Sequence, residues 1–349
     1  MNEKDACFRP EDLQDWTSSV FQALEVGKKD ADEAARLLIR TNLRGIDTHG
    51  ISRVTGYVEK LRSGELNARP RIEMSFRDGM LFLDGDGGLG QVVGTQAVSE
   101  LVSRVADTGV ATCFIRRSGH LAAIGQFVLE AAERGMVAVI CQETPPLMAL
   151  KGSSRPAIGN NPIAFACPVK NRSSLVFDMA TSVVARGNLI QAISDGKETI
   201  PDGWAIGPDG EATLDPQRAL QGAMLPVAGH KGIGLAMLVQ VLAGSLTGSM
   251  TADSAASHGA TSSAGNVSAF LMVLNPDRIV GRDEFDNHVE RWISTYLSAS
   301  GAQSRYPGQR AAEYEAKRKV AGIPIPLSTL GQLQKVGTSV GVAFDLVRA

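Results

Sequence analysis

The chain has 349 residues, 44% of them hydrophobic and 21% charged, which is ordinary globular composition and enough for two domains or one core with a satellite. Its 35 basic and 37 acidic residues leave a formal net charge of −2 with no long block of one sign, so nothing points to nucleic acid or an anionic membrane as a partner. A small soluble ligand is the expected partner.

The N-terminus, MNEKDACFRPEDLQDW, is charged where a secretion signal needs an apolar core. No apolar stretch reaches the ~20 residues that cross a bilayer, so a cytoplasmic protein is expected. Cys7, Cys113, Cys141 and Cys167 show no close pair spacing. The last three sit in apolar runs and read as reduced core thiols.

In chain order, residues 10–44 predict two helices. Pro10 opens the first, with Trp16, Val20, Phe21 and Leu24 on one stripe. Asp30 and Glu33 have capping-box spacing ahead of the second, and Gly45 ends it. That places Leu43 to Tyr57, LRGIDTHGISRVTGY, at a helix end or on the short turn and helix that follow. From Arg71 to Leu83, alternation on both sides of Asp78-Gly79 is a hairpin signal. Helices over 91–107 and 122–134 alternate with strands over 110–115 and 136–141, which argues for an α/β layer with partly parallel strands. Strands at 163–168 and 175–177 and a helix over 181–193 follow. Residues 197–219 form a polar loop, residues 232–246 read as a buried helix, and 250–267 as a loop of small residues. A strand at 269–274, a helix over 283–298 and a basic helix over 310–320 complete the reading, with no internal repeat.

Gly85, Gly87 and Gly90 in DGDGGLGQVVG match G-x-G-x-x-G between a strand and a helix, the context of a dinucleotide fingerprint. However, the preceding strand belongs to a hairpin, and Arg116 and Arg117 stand where an acid would receive a ribose hydroxyl. A tight turn where backbones pack closely is the rival reading.

Three of five histidines lie in glycine-flanked polar settings: His49 in THG, His120 in SGH and His230 in GHKG. His49 titrates near neutrality and sits four residues before Arg53, with Thr48 beside it and Gly50 admitting a close neighbour. Together these can move a proton and hold a carboxylate. His230 and Lys231 precede a helix, where basic groups oppose the dipole unless an anion is bound; a solvated loop is the plain alternative. Arg305 and Arg310 in RYPGQR supply either anion contacts or a solvated basic turn. Asp178 in FDMATS is either a cap for the following helix or a ribose ligand. His258 and His288 read as surface residues, and no histidine has a metal-type partner at usable spacing.

In order, LRGIDTHGISRV, DGDGGLGQ, SGHLAAIGQF, IGNNPIAFACP, FDMATSVVARGN, PVAGHKGIGLAML and RYPGQR resemble the type-2 malate/L-lactate dehydrogenase family of NAD(P)-dependent oxidoreductases, from about residue 10 to 325. The resemblance implies an α/β fold: a mixed-sheet cofactor domain of non-Rossmann type over 76–282, plus a mainly helical domain of 1–75 with 283–349. It also implies a homodimer with active sites near the subunit interface. By this likeness His49 is the proton carrier, with His120 as second choice, Thr48 orients the ring, and Arg53 binds the substrate carboxylate. His120, Leu121, Ala122, Ala123, Ile124, Asp178, Met179, Ala180, His230, Lys231, Arg305, Gly308 and Arg310 would line the cofactor, NAD with NADP possible.

Two positions depart from the family pattern. The cyclic-imine-reducing branch has serine and aspartate where this chain has Thr48 and Asn188, and Asn188 cannot supply a negative charge. The family's frequent threonine is Asn160 here, a candidate substrate contact. The expected reaction is hydride transfer with a small 2-hydroxy or 2-oxo acid, of the malate or lactate type. Cyclic-imine reduction and non-catalytic binding of an anionic ligand are the alternatives.

Overall fold

A computed structural model describes residues 6–153, 155–248, 266–301 and 303–348. His258 and most of the small-residue stretch over 250–267 lie outside these residues.

The hairpin forms as its turn chemistry requires. Strands Glu73–Arg77 and Met80–Asp84 pair antiparallel, and Asp78 and Gly79 take φ of 52° and 78°, the left-handed pair that a two-residue turn of matching twist needs. The hairpin is one edge of a seven-stranded sheet. Met80–Asp84 runs parallel to Val110–Ser118. Antiparallel pairings then carry the sheet through Val267–Leu274, Val137–Gln142, Ile163–Cys167 and Leu175–Met179. Its strands alternate inward and outward, so Leu81, Leu83, Cys113, Ile115, Ile140 and Leu271 are buried. The helices Gly90–Thr108 and Gly125–Glu133 cover this face through Leu101 and Phe127. A four-stranded sheet of two- and three-residue strands stands beside it.

A second core joins the two parts of the chain nearest its ends. Helix Pro10–Gln22 puts Leu13, Trp16, Val20 and Phe21 against Lys28–Leu43 and against Leu330, Leu333 and Val336 of Leu327–Ser339. A two-stranded ribbon, Ala6–Phe8 with Ile323–Ile325, fastens them. No described helix is long and apolar enough to cross a membrane.

Most expected elements are present, with four differences. The Asp30–Glu33 capping box is not made: the helix starts at Lys28, its cap is Gly27, and Glu33 instead binds Arg36 and Thr95. The helix expected from 181 begins at Arg186, because Thr181 and Val183 spend their N–H groups on Asn160 and Leu225. The polar loop over 197–219 contains a short strand, Ala205–Ile206, and helix Pro216–Gln221, which Asp215 caps. The helix read as buried, His230–Val239 with its π-helical continuation Gln240–Gly244, is buried on one face only. Leu235, Met237, Leu238, Val241 and the following Leu246 are exposed in the single chain.

Candidate active site

The segment Asp47–His49 forms one 3₁₀ turn and Ile51–Arg53 a second, leading into helix Val54–Ser63. Gly50 between them is required by contact: a β-carbon there would fall 2.0 Å from Oδ1 of Asn42, the atom that accepts the Ile51 N–H at 2.7 Å. Asn42 also donates to Asp47 at 2.7 Å. The last turn of helix Lys28–Leu43 therefore sets the conformation of the histidine segment.

Within that segment Thr48 Oγ1 lies 2.9 Å from Nδ1 of His49, which fixes the ring and leaves Nε2 available. Arg53 donates Nε to the Thr48 carbonyl at 2.6 Å, and its terminal nitrogens have no partner among the described residues. Withdrawal from water, reinforced by the Arg53 charge, lowers His49 to about 4. His120 faces it, with ring centroids 6.0 Å apart, and is lowered to about 3 by burial, by the repulsion that a protonated His49 would add, and by the charges of Arg53 and Lys60. Both rings are neutral near pH 7.

The glycine motif builds the support for His120 and is not on the cavity wall. Gly85 and Gly87 donate to the carbonyls of Arg116 and Arg117, and a β-carbon at Gly90 would fall 2.4 Å from the carbonyls of Gly119 and His120. Backbone packing, the rival of the dinucleotide reading, is what these residues do. Arg116 and Arg117 pair with Asp84 and Asp86. In the loop itself, Arg117 and Ala122 take φ of 50° and 61°, left-handed values that cost a side-chain-bearing residue energy and cluster at functional sites.

These residues line a cavity of about 610 Å³ between the sheet and the helical core. Of the residues singled out from sequence, Thr48, His49, Arg53, His120, Ala122, Ala123, Ile124, Asn160, Asp178, Met179, Ala180, Gly308 and Arg310 are on its wall. Leu121 is not; it is buried, and its N–H binds Gln142 at 3.2 Å. His230 and Lys231 are exposed and off the wall, and Arg305 pairs with Glu313 in solvent. Asp178 caps a helix, but not the one that follows it: Oδ2 accepts the N–H of Gly125, which opens Gly125–Glu133, at 2.8 Å. Its carboxylate is open to the cavity yet walled by protein, and that enclosure pushes it up to about 6 against the opposing Gly125 bond. Asn160 accepts from Thr144 at 2.9 Å, leaving its NH₂ without a partner among the described residues.

Sequence reasoning missed several members. Tyr57 is buried with its hydroxyl 3.4 Å from Nδ1 of His120, and Gln91 donates to that hydroxyl at 2.9 Å. The spacing 49, 53, 57 was a signal for Tyr57. Tyr57 stands behind the wall; Gln142, Arg186 and Tyr314 are on it, Arg186 inside the FDMATSVVARGN run but not singled out, the other two with no local motif to mark them.

The wall fits a nicotinamide dinucleotide. Ala122, Ala123, Gly125, Ala180 and Gly308 keep the wall free of bulky side chains, leaving room for flat rings and phosphates, Asp178 offers an acceptor for ribose hydroxyls, and Arg310 offers a cation.

Comparison with known proteins agrees with this geometry. The malate/L-lactate dehydrogenase family model matches residues 8–334. The malate dehydrogenase of Pyrococcus horikoshii is 34% identical over 93% of this chain and 92% of its own. A Delta(1)-pyrroline-2-carboxylate/Delta(1)-piperideine-2-carboxylate reductase of Pseudomonas aeruginosa is 33% identical over 80% of this chain and 84% of its own. The solved sulfolactate dehydrogenase of Methanocaldococcus jannaschii superposes with a TM-score of 0.83 at 28% identity, covering 97% of this chain and 98% of that one. The family-model match over nearly the whole chain and these identities show that the chain belongs to the malate/L-lactate dehydrogenase family of NAD(P)-dependent oxidoreductases.

Proposed function

We propose that this enzyme interconverts a small 2-hydroxy acid and the corresponding 2-oxo acid, of the malate or lactate type. The observation that carries the reading is one cavity wall. It holds a neutral His49 whose Nδ1 is engaged by Thr48, and Arg53 with its terminal nitrogens unpaired among the described residues. The nicotinamide, when bound, supplies the hydride acceptor or donor. Arg53 takes the substrate carboxylate in a bidentate pair and stops the acid from rotating. With its proton on Nδ1, His49 donates to Thr48, and the Nε2 lone pair takes the hydroxyl proton during oxidation; in reduction the ring returns it. His120 sits beside this ring as the second candidate for the same role. The unpaired NH₂ of Asn160 suits the substrate's oxygen.

Cyclic-imine reduction, the activity named for the P. aeruginosa relative, has less support. Asn188 stands where that branch carries aspartate, and Asp178 is the one carboxylate among the described residues of the wall. The test is steady-state turnover with NADH and NADPH against a panel of 2-oxo acids, 2-hydroxy acids and one cyclic imine. Turnover of the imine alone would overturn the proposal.

The working unit we infer is a homodimer. Leu235, Met237, Leu238, Val241 and Leu246 form an apolar stripe too continuous for a free surface, and a second copy would cover it. Sedimentation of the wild type and of Met237→Glu tests this: a dimer is expected, and the variant shifts it toward monomer.

A further inference from the structure

We propose that Thr144 is a positioning residue: it turns the Asn160 amide so that the NH₂, and not the oxygen, faces the substrate. This rests on the reading above in which Asn160 contacts a substrate oxygen.

An amide side chain offers an acceptor at one corner and two donors at the other, and half a turn about its last bond exchanges them with almost no change of shape. Which corner reaches a ligand is therefore decided by what holds the other. Thr144 and Asn160 both line the cavity. Thr144 Oγ1 accepts the backbone N–H of Asn161 at 3.2 Å and donates its single proton to Oδ1 of Asn160 at 2.9 Å. With Oδ1 taken, the NH₂ is the corner left for the cavity. The rival acceptor, Oδ1 of Asn161, lies farther from the hydroxyl, at 3.3 Å, and already accepts the Thr144 backbone N–H at 2.9 Å.

Thr144 is itself held from behind. Asn161 is buried, with φ of 22°, and its NH₂ donates to the Ala236 carbonyl at 2.9 Å and to Oε1 of Gln240 at 3.2 Å. Acceptor and donors are all committed, so this second amide has one orientation. Gly159 completes the enclosure: a β-carbon there would fall 2.2 Å from the Thr144 carbonyl oxygen and 2.4 Å from Oγ1. A hydroxyl fixed on so many sides does not swing to follow Asn160. The amide follows the hydroxyl.

The experiment is a double-mutant cycle on the full chain with NADH or NADPH and the acid that the wild type turns over best. Thr144→Val should raise the KM for the acid ~10-fold while kcat changes by less than ~3-fold. Thr144→Ser keeps the hydroxyl and should recover most of the loss. Once Asn160 is alanine, Thr144→Val should add almost nothing, because the group it acts through is gone. Thermal melts and NADH fluorescence check folding. Should Thr144→Val not fold, Asn160→Asp puts the question with Thr144 intact: a carboxylate still takes the hydroxyl proton but shows the cavity only oxygen, and should raise KM at least as far as Asn160→Ala. Losses that multiply in the double variant, a serine variant as poor as valine, or an Asn160→Asp with wild-type KM would overturn the assignment. So would a raised KM for NADH with the acid unaffected. A wild type that turns over only the cyclic imine would sink the 2-oxo acid reading alone, and the same cycle run on the imine would still decide the pairing of Thr144 with Asn160. A wild type inert toward the whole panel removes both.

Discussion

Arg318 grips Asp47 across 271 positions of sequence. Its Nη1 and Nη2 lie 2.7 Å and 3.0 Å from the two carboxylate oxygens, and the same guanidinium donates to the Asn42 carbonyl. The grip is part of a longer contact. Helix Gln309–Ala321 also pairs Glu315 with Arg44 and lays the Tyr314 ring over Gly45, where a β-carbon would fall 3.0 Å from Cδ2. This helix begins beside the cavity with Arg310 and ends on the His49 segment. It therefore ties the proposed cofactor end of the site to the histidine proposed as proton carrier.

Arg318→Leu should accordingly lower kcat/KM by ~10- to 100-fold, because a displacement of about 1 Å at a reacting group costs on the order of 10²-fold. The stability loss should be only about 1 kcal/mol, since Asp47 keeps 43% of its side-chain surface exposed and water replaces the lost partner. Arg318→Lys, retaining one charge without the fork, should fall between. Steady-state kinetics beside thermal melts separate positioning from folding; an activity loss matched by a collapse in melting temperature would contradict positioning.

His49→Ala should lose ~10²–10⁴-fold in kcat while NADH binding survives, the range expected for removing a general acid–base group. Normal turnover in that variant beside a dead His120→Ala would exchange the roles of the two rings. The pH dependence carries the sign. With His49 at about 4 in the free site, kcat/KM for hydroxy-acid oxidation needs the neutral ring and stays flat, as far as this group acts, from pH 5 upward. Oxo-acid reduction needs the protonated ring, so its kcat/KM should fall as pH rises above about 4. A break near the ordinary histidine value, about 6.5, in both directions would show that Arg53 and burial do not depress the group.

Gly90→Ala tests whether the glycine motif holds His120. The added carbon must push aside the carbonyls of Gly119 and His120, both backbone, so overpacking of about 1–3 kcal/mol is expected together with a drop in kcat. Gly56→Ala is the control. It lies in helix Val54–Ser63 with nothing within 4 Å of the new carbon, and should be neutral or stabilising by about 0.5–1 kcal/mol. Equal activity in both variants would remove the motif from the support of the site.

Local chemistry made part of this molecule legible. Asp78-Gly79 encodes its own turn, and the THG segment declares a histidine with an orienting hydroxyl and a freed backbone. What stayed hidden depends on partners far apart in sequence. Nothing near residue 318 announces that it will bind residue 47, and Tyr57 reads as a core aromatic until His120 is placed against it. The same is true of the glycine motif, whose composition fits phosphate binding as well as backbone packing; only the facing carbonyls decide. The 232–246 helix misled because an apolar sequence on all sides does not distinguish a helix buried within the chain from one whose outer face stays exposed in the single chain.

Asp178 gives the last test. Its carboxyl, raised to about 6 by the enclosing wall, is mostly ionised at pH 7.5 and mostly protonated at pH 5. If the carboxylate accepts a ribose hydroxyl, kcat/KM for the cofactor should rise with pH through a limb near 6. Asp178→Asn should remove that limb, weakening cofactor binding most at pH 7.5, where the native group is charged. The amide can still accept from Gly125, so the helix cap survives. Folding should respond with the opposite sign. A raised carboxyl pKa means the native state holds its proton more tightly than the unfolded chain, whose value is about 3.9; that contribution is fully present below about 4 and is lost as pH rises through 6. The variant should therefore melt no lower than the wild type at pH 7.5, and its relative advantage should shrink toward pH 5. Cofactor titrations and melts at the two pH values measure both effects. A binding profile that keeps its limb near 6 in Asp178→Asn would assign the titration to another group.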